Sequence, residues 1–288
     1  MKVGVVDAGS NSFLLLMAEK KDGRINYFFD TSRIVGLGHL ENGRIRQENF
    51  EKALAVVKEY RSICDANSVD RTMITGSEIF RRIDRKYFDI LSEGFDKSLI
   101  LTRKEESFFS FRSVVEDDKF NFDPVVVDIG GGSFEIAWKD KDFIFRSLPM
   151  GAIFITDRLI KRYPVGDQLD NFRELDPYLD LPAKPLVSIG GTGTTIACIV
   201  EEKEFDPLVI HGKFLKFETL KSLFERMKEM TIDEISSLKG MEIGREKIII
   251  SGLFLLLRIL EKNSLDGLYI STRGHRYTVA HDLLEGEI

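Results

Sequence analysis

Two stretches of the sequence, VGVVDAGSNSF at residues 3–13 and VVVDIGGGSFE at residues 125–135, share one pattern of chemistry-bearing residues. Each is an apolar, β-branched run ending in Asp, followed by D-x-G-x-x-S-F. Asp7, Gly9, Ser12 and Phe13 answer Asp128, Gly130, Ser133 and Phe134. A strand ending in Asp and Gly brings backbone close to a phosphate, because glycine permits the tight turn and successive free N–H groups form an anion-binding nest. One such loop is weak evidence. Two in one chain imply a duplicated domain pair holding phosphate, each half supplying one loop and one carboxylate. The competing reading, a strand-end Asp in an Asx-turn, has to be invoked twice with the same flanks.

A third glycine cluster, Gly190-Gly191-Thr192-Gly193-Thr194-Thr195, lies between a strand pattern and an apolar helix. It is either a glycine turn with a threonine cap or a place where a ligand approaches a helix N-terminus; the second reading is preferred. Other chemistries find less support. Neither Cys64 nor Cys198 is followed by the Arg that a cysteine phosphatase needs, and Asp7 lacks a second Asp two residues on, as an aspartyl-phosphate enzyme would want. His39, His211, His275 and His281 show no zinc-like spacing with cysteines. His275 and His281 flank the last helical stretch and read as surface or cap residues.

The elements that must position these loops follow from periodicity. Residues 2–7, 13–19 and 25–30 read as strands, and residues 49–66 place Phe50, Ala53, Leu54, Val57, Tyr60 and Cys64 at helical spacing. A strand at 72–75 leads to a helix from about Glu78. A strand at 98–102 precedes a helix with Glu105 and Glu106 in its first turn and Phe108, Phe111 and Val115 as its apolar face. The second half repeats the opening with strands at 125–128, 134–138 and 143–147, then a helix through about Arg162. Strands are expected at 186–189, 208–215 and 268–271, with an amphipathic helix from Thr219 and an apolar one over 248–260. This alternation predicts two α/β domains, divided at a polar linker near 117–122: residues 1–117 and 118–288, the last helix being free to pack back on the first domain.

The bulk properties agree with an enzyme. The 288 residues allow about two domains, and 43% hydrophobic content supplies their cores. A net charge of -6 argues against nucleic-acid or anionic-membrane partners. Two cysteines are too few for a disulfide scaffold and point to a reducing compartment. The strand pattern begins at Lys2 without a signal peptide, so the expected location is cytoplasmic. The run 248–260 is too short to span a bilayer and contains Arg258.

With these residues in order, the chain resembles the exopolyphosphatase/guanosine pentaphosphate phosphatase family of the actin-like ATPase superfamily. The resemblance rests on Asp7-Ala-Gly-Ser-Asn-Ser12, Glu105-Glu106, Asp128-Ile-Gly-Gly-Gly-Ser133-Phe-Glu135, Ser147-Leu-Pro-Met-Gly151, Gly191-Thr192 and Ser271-x-x-Gly274-x-Arg276. It spans nearly the whole chain and corresponds to the two-domain core that longer members extend with helical domains. It implies two actin-like (ribonuclease H-like) α/β domains, with a mixed sheet in each and an interdomain cleft.

The resemblance also implies roles. Glu106 matches the general base and Arg81 a basic residue near the phosphates. Asp7, Gly9, Ser10, Asn11 and Ser12 match the first phosphate loop, and Asp128, Gly130, Gly131, Gly132 and Ser133 the second; Gly191 and Thr192 add a phosphate contact. Asp7, Asp128 and Glu135 are the carboxylates expected to hold Mg²⁺. The surroundings depart from the family pattern: Arg103-Lys104 and Ser107-Phe108 flank the acidic pair, and Gly274-His275-Arg276-Tyr277-Thr278 stands for Gly-x-Arg-acid-Gly. Taken by itself, Glu106 also fits a first-turn acid that stabilises its own helix dipole.

The expected activity is Mg²⁺-dependent release of terminal phosphate from inorganic polyphosphate or a guanosine pentaphosphate-like nucleotide, in a possible homodimer. The alternatives are a small-molecule kinase of the same superfamily and a non-catalytic polyphosphate or alarmone sensor.

Overall fold

The computed structural model describes every residue except His39 and Asn42, so His39 lies outside the described residues. Contacts divide the chain into two compact units, residues 1–109 with 275–288, and residues 110–274.

The first unit carries a five-stranded sheet in the order β3-β2-β1-β6-β7. Its strands are β1 (Lys2–Ala8), β2 (Ser12–Lys21), β3 (Arg24–Ile34), β6 (Arg71–Gly76) and β7 (Lys97–Ile100), with a small hairpin of β4 (Leu40–Glu41) and β5 (Arg44–Ile45). Its helices are α1 (Gln47–Ala66), α2 (Lys86–Ser92), the opening part of α3 (Arg103–Val115) and α10 (His275–Glu285). β1 is central, antiparallel to β2 and parallel to β6. A strand covered on both faces reads as a continuous apolar run, and the faces of β1 alternate accordingly. Val6 and Ala8 pack with α1, while Val3 and Val5 pack with Val279, Ala280 and Leu283 of α10. Asp7 lies on the Val3–Val5 side, the side covered by α10.

The second unit repeats the plan with the order β10-β9-β8-β11-β13-β12. Its strands are β8 (Val125–Ile129), β9 (Phe134–Lys139), β10 (Phe143–Leu148), β11 (Leu186–Ile189), β12 (Phe214–Lys216) and β13 (Gly267–Ile270). β8 takes the place of β1, antiparallel to β9 and parallel to β11. Val125, Val127 and Ile129 join the main core, whereas Val126 packs with Phe111, Val114 and Phe120. The helices are α4 (Ala152–Leu159), α5 (Gly190–Glu201), α6 (Pro207–Ile210), α7 (Phe217–Lys228), α8 (Ile232–Ser236) and α9 (Ile249–Lys262). The apolar helix expected over 248–260 is α9, a core element; no helix among the described residues is long and apolar enough to cross a membrane.

Three expectations are corrected. The stretch 208–215 is not one strand: Pro207 opens the short α6, whose N-cap Asp206 accepts from the Leu208 amide, and β12 begins only at Phe214. A helix from Glu78 is a single 3₁₀ turn, Glu78–Arg81, with α2 starting at Lys86. On α3 the buried residues are Ser107, Ser110, Phe111, Ser113 and Val114, whereas Phe108 and Val115 are exposed. Small serines line the packed side, so hydrophobicity alone gives the wrong phase. The two compact units meet within α3, between Phe109 and Ser110.

The expected polar linker contains a buried charge. Asp117 is 2% exposed. Its carboxylate lies 2.8 Å from His211 Nε2 and 3.2 Å from Arg273 Nε, while Thr272 N donates to His211 Nδ1 at 3.2 Å. Burial works against the charge, but the bonds from His211 and the Lys119 amide and the nearby Arg273 hold its pKa below the ordinary 3.8. A carboxylate with a depressed pKa adds stability above its unfolded pKa and loses it as pH falls through the folded one. Asp117→Asn should therefore cost about 3 kcal/mol at neutral pH, since it leaves His211 and Arg273 without their buried partner. The gap to wild type should begin to narrow only below about pH 3.8 and should close only once the pH falls below the depressed folded pKa. Urea midpoints at pH 7 and in a series falling from about pH 4 to pH 2 check both statements; equal midpoints at pH 7 would refute the assignment.

Candidate active site

In the first unit, three segments leave the carboxyl ends of adjacent parallel strands, where ligands of open α/β sheets bind. The loop Gly9–Asn11 follows β1. The 3₁₀ turn bearing Arg81 follows β6, and its start is tied to the strand beside it by Ser77 N donating to Ala8 O at 3.2 Å. α3 follows β7, with Leu101 N donating to Gly76 O at 2.9 Å. The loop itself is closed by Gly9 N donating to Ser12 O at 3.0 Å. Its carbonyls are held from behind: Asn11 O accepts from Val35 N and Gly36 N, and Ser10 O from Gly38 N at 2.7 Å.

α3 begins with two glutamates whose duties the structure separates. Glu105 completes a capping box: its carboxylate accepts from Thr102 N at 2.8 Å and Thr102 Oγ1 at 2.7 Å, and its own amide donates back to Thr102 Oγ1. Those bonds hold its pKa below the ordinary glutamate range. Glu106 takes no part in the cap. Its Oε2 accepts from Arg81 Nη1 at 2.7 Å, and the same nitrogen donates to Leu101 O at 2.6 Å. Both side chains keep partial exposure, 20% for Arg81 and 31% for Glu106. Arg81, expected near phosphate, is thus fixed to Glu106 and to the backbone that opens α3.

Asp7 has a neighbour that sequence reasoning missed. His275, read as a surface or cap residue, is 5% exposed, with Nε2 at 3.0 Å from Thr75 Oγ1 and 3.5 Å from Asp7 Oδ1. The next two residues grip β3: Arg276 Nη2 and Tyr277 OH donate to Asp30 Oδ2 at 2.7 and 2.8 Å. Burial opposes the Arg276 charge, but Asp30 and neighbouring acids more than offset it and raise its pKa.

The second unit delivers its segments from the carboxyl ends of β8, β11 and β13. Gly131 O accepts from Ile153 N at 2.8 Å, Gly130 O from Ala152 N at 2.9 Å and Gly132 O from Gly151 N at 3.3 Å. With the carbonyls so engaged, the amides of Gly131 and Gly132 donate to no described residue, the condition for an anion nest. A side chain at Gly151 would start 2.5 Å from both Gly130 O and Gly131 O, so only glycine lets the following segment approach.

Asp128 and Glu135 are cross-strand partners on β8 and β9, which puts their side chains on one face. Ser147, the Glu135 partner on β10, donates to Glu135 Oε1 at 2.8 Å. Two adjacent hard carboxylates suit a divalent ion such as Mg²⁺, which keeps several waters. Among the described residues no group of three or more His, Cys, Asp or Glu converges. The structure therefore pairs Asp128 with Glu135 on one face of the second sheet.

β11 runs directly into α5. Gly190 has φ +76°, a left-handed turn, and any Cβ there would collide with Asp128 Oδ1. The hydroxyl of Thr192, expected to touch phosphate, is buried and donates to Ile129 O at 2.7 Å, so it ties α5 to the end of β8. Thr194 Oγ1 likewise turns back to Gly190 O. The polar group that does reach the turn is the Arg245 guanidinium, which lies against Gly191 and pairs with Glu242, itself bonded by Thr195 Oγ1 at 3.1 Å. Its sequence setting, Gly244-Arg245-Glu246-Lys247, reads as a solvated turn, and only the fold brings it to α5.

The chain is similar to several known proteins. The chain is 28% identical to a bifunctional 3-dehydroquinate synthase/phosphatase of Fusobacterium nucleatum over 92% of its own length but 44% of that protein. It is 26% identical to exopolyphosphatase 2 of Mycobacterium tuberculosis over 99% of this chain and 97% of that one. The PPX-GPPA enzyme of Aquifex aeolicus superposes with a TM-score of 0.86 at 29% identity, with 99% of each chain covered. The two-part α/β architecture with mixed sheets is accordingly of the actin-like class. The sequence profile of one family extends over residues 16–287 and takes in the second loop, the Glu105–Glu106 pair and the glycine turn alike, and the chain belongs to that family, the Ppx/GppA phosphatases.

Proposed function

We propose that the protein is a metal-dependent phosphoanhydride hydrolase that releases terminal phosphate from inorganic polyphosphate or from a guanosine nucleotide with a 5′-triphosphate. One observation carries the reading: of two adjacent glutamates, Glu105 serves the helix cap, which leaves Glu106 held by Arg81 at the carboxyl edge of the sheet that also bears the first glycine loop. Hydrolysis needs a water aligned with the scissile bond, an acceptor for its proton and positive density around the phosphoryl oxygens. Glu106 is the proton acceptor. In the first unit the amides of Ser10 and Asn11, and in the second those of Gly131 and Gly132, the α5 N-terminus and Arg245, supply the positive density. Asp128 and Glu135 would hold Mg²⁺, with Asp7 the further candidate; the ion would neutralise charge on the phosphate oxygens. A cytoplasmic location fits the two free, buried cysteines.

Phosphate release should be measured with Mg²⁺ from short and long polyphosphate, guanosine pentaphosphate and ATP. Glu106→Gln should lower the rate by about 10²–10⁴-fold with an unchanged melting temperature. A wild-type rate from that folded variant would remove Glu106 from the mechanism. Phosphoryl transfer to an acceptor without release to water would replace the hydrolase by a kinase, and saturable binding without turnover by a sensor.

Chelation should abolish turnover and added Mg²⁺ restore it; full activity in excess chelator would overturn the metal assignment. Gly151→Ala should raise KM for phosphate substrates by roughly tenfold or more (about 1.4 kcal/mol per decade), because the added methyl group displaces the carbonyls that shape the second loop. An unchanged KM would show that the loop does not bind the substrate.

A further inference from the structure

We propose that His275 is a positioning residue that fixes the carboxylate of Asp7 at the mouth of the first loop. The inference rests on the hydrolase reading above and assigns the approach of α10 a part in it.

Asp7 is the last polar residue of β1 before the loop, on the strand face that α10 covers. The rest of that face is mostly apolar, with Val3 and Val5 packing against Val279, Ala280, Leu283 and Leu284 of α10, and the buried Arg276 lies within electrostatic reach of Asp7. A carboxylate at its end needs a hydrogen-bond donor to define its rotamer. The donor arrives with the first residue of α10. The position of the ring is determined by its surroundings, because Arg276 and Tyr277 both bond Asp30 and so anchor the first turn of the helix.

The protonation of the ring follows from its neighbours. Thr75 is the register partner of Asp7 on β6, and its hydroxyl is directed to Val6 O at 3.3 Å. The single hydroxyl proton is used there, so Thr75 Oγ1 can only accept from His275 Nε2 at 3.0 Å. Asp7 Oδ1, at 3.5 Å from the same nitrogen, is an acceptor as well. Two acceptors facing one ring nitrogen require Nε2 to carry the hydrogen. That N–H bonds Thr75, which holds the ring, and the ring in turn stands against Asp7 Oδ1, 3.5 Å away. Asp7 is thereby presented to the loop in one orientation, and displacement of a reacting group by about 1 Å can cost 10²-fold in rate.

The test uses the full chain with His275→Leu and His275→Gln. Leucine fills similar space without a donor, whereas the Gln amide nitrogen reaches the Nε2 position. His275→Leu should lower kcat by about 10- to 100-fold, with KM within about 2-fold of wild type and little change in melting temperature. His275→Gln should recover kcat to within about 3-fold of wild type, on the scale of one retained hydrogen bond.

A long-range ¹H–¹⁵N spectrum of the ¹⁵N-labelled, metal-free wild type should show His275 protonated at Nε2; this readout does not depend on turnover or on either variant folding. Wild-type kcat in His275→Leu, equal loss in both variants, or a bare Nε2 would each overturn the proposal. Inactivity of the wild type itself on every substrate would instead sink the hydrolase reading on which it rests.

Discussion

The two glycine loops depend on how their carbonyl groups are satisfied. A tight turn at the end of a central strand leaves several backbone groups without ladder partners, and buried ones must be paired. In both units the partner is the segment that follows the third strand of the sheet: Val35–Gly38 after β3, and Gly151–Ile153 after β10. Each segment donates its amides to the loop carbonyls from behind. A peptide unit whose carbonyl faces backward turns its N–H forward, so anchoring the loop and creating the anion nest are one event. This explains why Gly151, which is outside the loop, is as constrained as the glycines within it.

The duplication is deeper than the repeated sequence pattern. In each sheet the loop-bearing strand opens an antiparallel meander of two further strands on one side and pairs in parallel on the other, and the second sheet adds an antiparallel edge strand, β12. Covering elements differ, however. α10 closes the Asp7 side of β1, and the residues of α3 beyond the division cover the corresponding side of β8, packing Phe111 and Val114 against Val126. The halves have also diverged in chemistry. The cross-strand partner of Asp7 is Leu14, and that of Asp128 is Glu135. The second unit thus holds a carboxylate pair suited to a cation, while the first holds one carboxylate beside a histidine.

Charge is distributed by the same logic. The chain is acidic overall, so affinity for a polyanion has to come from local devices: oriented amides, a helix N-terminus and guanidinium groups fixed by carboxylates. Arg81 is fixed by Glu106 and Arg245 by Glu242. Each pair limits the motion of a long side chain, which reduces the entropy lost when a ligand binds.

Much of this was legible in the sequence because it is locally encoded. β-branched runs specify β1 and β8, glycine after Asp specifies the turns, and the unbroken apolar run of residues 248–260 specifies a buried helix. The serine-rich packed side of α3 was misread because its small residues fill a close approach without being hydrophobic. Glu105 and Glu106 were indistinguishable as letters; one hundred degrees of helical rotation gives the first to Thr102 and the second to Arg81. Asp117 resembled a solvated linker residue until His211 and Arg273 closed around it, and His275 a cap residue until α10 laid it beside Asp7. The sequence by itself determined strands, turns and the type of chemistry, since those follow from side-chain period and backbone freedom within a few residues. Tertiary structure alone decided which partner each charged group meets, because that partner comes from a distant segment whose position is set by the packing of the cores.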